Sequence, residues 1–308
     1  MEKNRGKKIS IIIPTYNRAH LLMETIPTYI QKNVNIIEII IVDDCSKDNT
    51  KEVIEKLQKK YSIIRYYRLE TNSRQQAAKN KGIELLSKEC DYVYFGDDDA
   101  ILLPNSLTYL IDNLNKSDVA MVGARALYAK SLDDIKNYSE FIKKSKKSKN
   151  KKIVNFDKDI FDFDCEYEKP LEVPVTHAYF MIKKEIIGET RFDVRYKGNA
   201  YREETDFILS IKKKGKKIMY DCRAIGINYP RNIATGGAHK KGIIGKIIWN
   251  YWAIKNNNIF LDKNYNYLKE INEVTISKNI LKIKFIFIQI KRILKSILQK
   301  LLLKIKIG

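Results

Sequence analysis

The chain is short of cysteine. Cys45, Cys90, Cys165 and Cys222 are its only four in 308 residues, and no two form a CxxC pair. That spacing excludes a dense disulfide framework or a CxxC zinc site and fits the reduced thiols of a cytosol. Six prolines and thirteen glycines are too few for a low-complexity chain, and 44% hydrophobic with 31% charged residues is a globular composition. The length suffices for one large domain or two smaller ones. No stretch approaches the ~20 apolar residues of a membrane span. The charged start, MEKNRGKK, has no apolar core, so no signal peptide is expected. Internal repeats are lacking too.

Negative charge is also scarce, and the formal net charge is +21. A basic protein of this size seeks polyanions: nucleic acid, an anionic membrane surface or phosphorylated substrates. The tail from Ile276 to Gly308 carries nine Lys or Arg and no acid, and KKSKKSKNKK, Lys143 to Lys152, carries seven lysines. Neither cluster resembles a helix laid along a DNA groove, so no nucleic-acid partner is expected.

What is present is an alternation of strands and helices. ISIII (9–13) reads as a buried strand stopped by Pro14, followed by a helix over about 19–31. IIEIIIV (36–42) is a second strand, CSKDNT a turn and cap, and 51–60 a helix. A strand over 63–69, a helix over 73–88 and a strand over 92–95 complete the series. This βαβ spacing predicts an α/β fold with a mostly parallel sheet covered on both faces. Residues 130–170, rich in Lys, Asp and Ser, read as a partly mobile insertion. A strand is expected within 173–185, a helix over 201–215 and strands over 217–229.

Ligands of such sheets sit at the carboxyl ends of the strands. There stand Pro14-Thr15-Tyr16-Asn17, Asp43-Asp44 and Asp97-Asp98-Asp99, which should converge on one crevice. In an extended segment Asp97 and Asp99 point one way and Asp98 the other. Two carboxylates on one side suit a hard divalent cation, Mg²⁺ or Mn²⁺, shared with phosphates. Taken alone, the triple aspartate also fits an acidic loop facing solvent. Asp44 and Asp48 fit turn and cap chemistry, Tyr16 a packing aromatic, and Arg74 a surface pair with Glu70.

SIIIPTYNR, IIIVDDCSKDNT, SRQQAAKNKGI and FGDDDAILLPNSL, in that order and spacing, resemble the family 2 glycosyltransferases. The likeness covers roughly 9–110 and resumes at 175–215. It implies the GT-A nucleotide-sugar fold over 1–240: a nucleotide-binding half to about 125, the basic insertion, and an acceptor half from about 171. By this resemblance Pro14 and Tyr16 line the base pocket with Asn17 beside them, and Asp44 accepts a hydrogen bond from the base. Arg74 approaches the diphosphate or ribose, and Asn80 and Gly82 belong to the helix packed beside the pocket. Asp97-Asp98-Asp99 is the DXD-type element, with Asp99, then Asp97, toward the metal and Asp98 nearer the ribose. Gly96 replaces the usual first residue of that element.

YREETDF resembles the family's acidic motif, in which one carboxylate removes the acceptor's proton in an inverting reaction. Glu204 matches the base position, Asp206 follows it, and Glu203 orients or binds. First-turn acids complementing a helix dipole explain the same residues without catalysis. Relatives carry a metal-completing histidine after the strand at 222–229, where this chain has Asn228 and Tyr229. His239, in a loop with Arg231 and Gly236-Gly237, is the substitute; His177 is a lesser candidate.

In the tail, Ile283, Phe287, Ile290, Leu294, Leu298, Leu301 and Ile305 recur at three- and four-residue steps between lysines. The region 241–308 thus reads as a basic, amphipathic helical tail lying on an anionic membrane surface, or packed on the domain or a partner chain. The whole reads as a metal-dependent transferase moving a sugar from a nucleotide diphosphate, UDP favoured, to an envelope glycan or lipid-linked carrier, peripherally on the cytoplasmic face. Two alternatives stand: a non-catalytic nucleotide-sugar or polyanion binder, and a nucleotidyltransferase. The latter wants a glycine-rich, lysine-bearing phosphate loop, which PTYNRAH is not.

Overall fold

In the first strand, β1 (Lys8–Thr15), Ile9, Ile11 and Ile13 enter one apolar cluster and Ile12 enters another. This is the two-residue period of a strand buried on both faces. The computed structural model describes residues 6–145, 152–236 and 242–305. After β1 come α1 (Ala19–Thr25), β2 (Asn35–Asp43), α2 (Thr50–Lys60), β3 (Ile64–Arg68), α3 (Arg74–Glu84) and β4 (Tyr92–Phe95). The helix expected over 19–31 is shorter than that: Pro27, which has no N–H to give, turns Ile26–Tyr29 into a tighter 3₁₀ turn.

The remainder runs β5 (Ala100–Leu102), α4 (Ser106–Leu114), β6 (Val119–Tyr128), α5 (Leu132–Lys136), α6 (Tyr138–Lys143), β7 (Val154–Asn155), β8 (Ile160–Phe161), β9 (Leu171–Glu172) and β10 (Phe180–Lys183). Then follow α7 (Lys184–Ile187), α8 (Glu203–Lys212), β11 (Lys217–Asn228), α9 (Gly242–Glu270) and α10 (Lys278–Ile305). The main sheet is ordered β3-β2-β1-β4-β10-β6-β11-β5, with β9 beside β11. Its β3-β2-β1-β4 half is parallel as expected. Beyond it the sheet is mixed, because β10 runs antiparallel to both β4 and β6. The strands expected over 217–229 are one strand, β11, whose register against β6 shifts between Asp221 and Ile225.

The insertion is more ordered than its composition suggests. Ile153, Val154, Phe156, Phe163 and Cys165 are buried in the cluster that also holds Phe95, Phe180 and Phe207. Most of its lysine cluster (146–151) lies outside the described residues. Phe260, Leu261 and Leu268 of α9 and Leu281 of α10 enter the same cluster, so this hairpin packs on the body. Among the described residues no helix is long and apolar enough to cross a membrane.

Candidate active site

A cleft of about 530 Å³ opens where β1, β2 and β4 end, and α8 closes its other side. Pro14, Tyr16, Asp44, Arg74, Asp97, Asp98, Asp99 and Glu204 all line it. The ends of three parallel strands and the N-termini of α3 and α8 thus bring together residues up to 190 positions apart.

Glycine makes this approach possible at Gly82, where a Cβ would lie 2.4 Å from Cγ2 of Ile12. Without it α3 seats directly on β1. Asn80, on the same helix, pairs with the backbone of Phe192 at 2.8 and 2.9 Å, outside the cleft. Asn17 is likewise a loop tie rather than a lining residue: its N–H donates to Ser46 and its Oδ1 accepts from Lys47 N–H at 2.7 Å. Asp44 accepts from the N–H groups of Ser73 and Arg74 and from the Asn72 amide, so it also anchors the start of α3. Burial raises its pKa against these bonds.

The acidic run does not stay extended. It turns at Asp98-Asp99, and both of these reach the Arg18 guanidinium, Asp99 at 2.6 Å and Asp98 at 3.4 Å. The alternation expected from an extended segment is therefore lost. Asp98 further accepts from Thr15 Oγ1 at 2.7 Å. Burial raises the pKa of Asp98 to about 6, despite Arg18, and that of Asp97 to about 7, despite Lys79. Burial works against the charge on Arg18, but Asp98 and Asp99 outweigh it and hold Arg18 charged.

Across the cleft Lys79 is buried, its ammonium 2.8 Å from Glu203 and 2.7 Å from Glu204. Gln75 donates to both glutamates. Burial drives the Glu203 carboxyl well up, toward the protonated form, and leaves its Oε2 without a hydrogen-bond partner. Burial opposes ionisation of Glu204 as well, but Lys79 and the hydrogen bond from Glu203 prevail, and its pKa falls below the usual range. Glu204 is the member that reaches the cleft. Asp206 does not: two residues along, on the opposite side of α8, it binds Lys263 at 2.6 Å and Asn264 at 2.7 Å and ties α8 to α9. That placement keeps Asp206 out of the cleft lining.

His177 lines the cleft, its Nε2 2.7 Å from the Tyr128 hydroxyl, and burial lowers its pKa to about 4, so it is neutral. Asn228 lines the cleft as well. Gly236, at φ 103°, crosses the Asn17 carbonyl so closely that a Cβ would be 2.4 Å away. His239 and Gly237 lie outside the described residues. Several lining residues escaped sequence reading: Arg18, Gln75, Tyr128, Tyr201, Arg202 and Trp249. Lys79 escaped it too. Arg18 closes the PTYNR string and was legible in principle, whereas Lys79 in QQAAKNKG reads as an ordinary surface lysine.

Among the described residues no three His, Cys, Asp or Glu side chains form a ready cation cage. The donor set still fits a hard divalent cation. Asp98 and Asp99 share one guanidinium with Asp97 beside them in the cleft, and such ions take one or two carboxylates and complete their shell with phosphates and water.

Comparison with known proteins decides the family. The pattern described as Glycosyl transferase family 2 matches residues 10–188, more than half of the chain. The chain belongs to this family. Among curated relatives of this family 2 member is a GalNAc(5)-diNAcBac-PP-undecaprenol beta-1,3-glucosyltransferase of Campylobacter jejuni, 37% identical over 118 residues, 38% of this chain and 37% of that protein. A poly(ribitol-phosphate) beta-N-acetylglucosaminyltransferase, TarP of Staphylococcus aureus, is 31% identical over 37% of this chain and 35% of its own length. The matched segments thus span little more than a third of those relatives. GalNAc-T7, solved with UDP, GalNAc and Mn²⁺, superposes with a TM-score of 0.59 at 14% identity, over 90% of this chain and 52% of that one. The mannosyltransferase PcManGT of Pyrobaculum calidifontis, solved with GDP-Man and Mn²⁺, gives 0.55 at 16%, over 92% and 70%. The fold is GT-A.

Proposed function

We propose that the protein transfers a sugar, with inversion, from a nucleotide-diphosphate donor to an acceptor hydroxyl on a cell-envelope glycan or lipid-linked carrier. One observation carries the reading: three strand-end aspartates share a cleft with Glu204, whose carboxylate Lys79 and Gln75 hold in place. The relatives named for undecaprenol-linked and poly(ribitol-phosphate) acceptors support the acceptor class. Structural neighbours solved with UDP-GlcNAc and with GDP-Man support a nucleotide-diphosphate-sugar donor.

In this reading Pro14, Tyr16 and Asp44 receive the base, and Arg74 meets the ribose or diphosphate. Asp98 sits by the ribose, and Asp99 with Asp97 would hold Mn²⁺ or Mg²⁺, which neutralises charge on the departing diphosphate. Glu204, ionised at neutral pH, takes the proton of the acceptor hydroxyl as its oxygen bonds to the anomeric carbon. The bond from the anomeric carbon to the diphosphate oxygen breaks, and its electron pair leaves on that oxygen. Arg18, already in the cleft, adds a fixed positive charge on that side. A lipid-linked acceptor would bring the enzyme to the anionic membrane surface expected of residues 276–308.

The test offers purified protein a panel of UDP-, GDP- and dTDP-sugars with Mn²⁺ or Mg²⁺, beside Asp99→Ala. Metal-dependent binding or slow nucleotide release with one donor, lost in Asp99→Ala, is expected. No response to any donor with either metal overturns the reading.

A further inference from the structure

Helix α10 has two apolar faces. Leu281 and Phe285 are buried, and the Phe285 ring lies 5.5 Å from Tyr201. At about 100° per residue a second stripe runs along the opposite side: Ile280, Ile283, Phe287, Ile290 and Leu294. Each is exposed, Phe287 to 65% and Leu294 to 60%. This is most of the stripe that periodicity picked out in the tail; the side chains of its last members lie outside the described residues. One face of the helix therefore packs on the domain, and the other is exposed among the described residues. Exposed apolar side chains in a continuous row signal an interaction surface.

Charge narrows the occupant. Lys284, Lys291 and Lys295 are exposed along one flank of the stripe, and α10 contains no acid. On the other flank Lys278 and Lys282 are held by Asp262 at 3.1 and 2.7 Å. A second copy of the chain docked by this face would set lysine against lysine, an unfavourable pairing for a self-complementary contact. Helix α9 adds exposed Ile244, Ile247 and Tyr251 at steps of three and four. Trp249, which lines the cleft, stands on the opposite side of α9.

We infer that the outer face of α10 docks on an anionic lipid surface. Ile283, Phe287, Ile290 and Leu294 enter the headgroup–acyl boundary, and Lys284, Lys291 and Lys295 meet the phosphates. Since α9 joins this hairpin to the cleft wall, docking holds the cleft beside the bilayer. The inference stands apart from the catalytic reading, and its test needs no donor.

The full chain is sedimented with phosphatidylcholine vesicles, with and without about one third phosphatidylglycerol. Two variants follow: Phe287→Glu with Leu294→Glu, and Lys284→Glu with Lys291→Glu and Lys295→Glu. All five positions are exposed, so unchanged circular dichroism and Tm confirm that the variants are folded. Binding to the anionic vesicles only, weakened by salt and at least about tenfold weaker in both variants, is expected. Wild-type protein that stays in the supernatant overturns the inference. So does binding that the Phe287→Glu/Leu294→Glu variant retains, or a dimer of the wild type that this variant dissociates.

Discussion

The two acid clusters of the cleft are built alike and balanced differently. Each has two carboxyls sharing a buried cation, Asp98 and Asp99 on Arg18 and Glu203 and Glu204 on Lys79; both aspartates line the cleft, but only the second glutamate does. The aspartate cluster carries a third carboxyl, Asp97, which has no hydrogen-bonded cation among the described residues, and burial raises its pKa to about 7. The glutamate pair needs no further cation, because burial favours a proton on Glu203. Desolvation thus leaves one cluster in want of positive charge and the other complete. The first suits a site that recruits a cation with its diphosphate, and the second a site that keeps one carboxylate ionised and aimed.

The largest expected effect separates the roles within the second cluster. Glu204→Gln should lower turnover by about 10³-fold while leaving donor binding intact, read from single-turnover rates beside calorimetric binding. Equal losses of binding and turnover would assign Glu204 to the donor instead. Lys79→Met strips the counter-charge from the ionised Glu204 beside the buried Glu203 and should cost roughly 3–5 kcal/mol in denaturant unfolding. Adding Glu204→Gln to it should recover part of that loss. If the double variant is no more stable than Lys79→Met alone, the shared-cation account of the pair fails.

The first cluster predicts the opposite sign. A carboxyl whose folded pKa is raised stabilises the fold when protonated, and that contribution disappears as pH climbs through about 7. In metal-free protein Asp97→Asn should therefore be more stable than wild type at pH 8, by roughly 2 kcal/mol. The gap should close as pH falls from about 7 toward 4; a gap constant with pH would mean that Asp97 is not the titrating group. The smallest effect on turnover belongs to Asp206→Asn. It should weaken the α8–α9 tie by roughly 1–2 kcal/mol yet change turnover less than about threefold, and a Glu204-sized loss would return Asp206 to the chemistry.

The residues themselves determined the parallel half of the sheet. Runs such as ISIII, IIEIIIV and YVYF are apolar on both faces and end at Pro14, Asp43 and Gly96, so period and punctuation agree. The acids at those strand ends were legible for the same reason, since parallel strands deliver their C-termini to one edge. The exposed stripe of α10 was visible as a period of three and four. Helix α9 had no such signal: its buried positions include Asn250, Asn256, Asn257 and Asn264, which hydrogen-bond rather than merely pack. Only the tertiary structure decided which charges meet. Arg18 reaches Asp99 across 81 positions and Lys79 reaches Glu204 across 125, and no local pattern records such pairings. Those long-range partners, and the water they exclude, determine which carboxyl holds a proton and which faces the cleft.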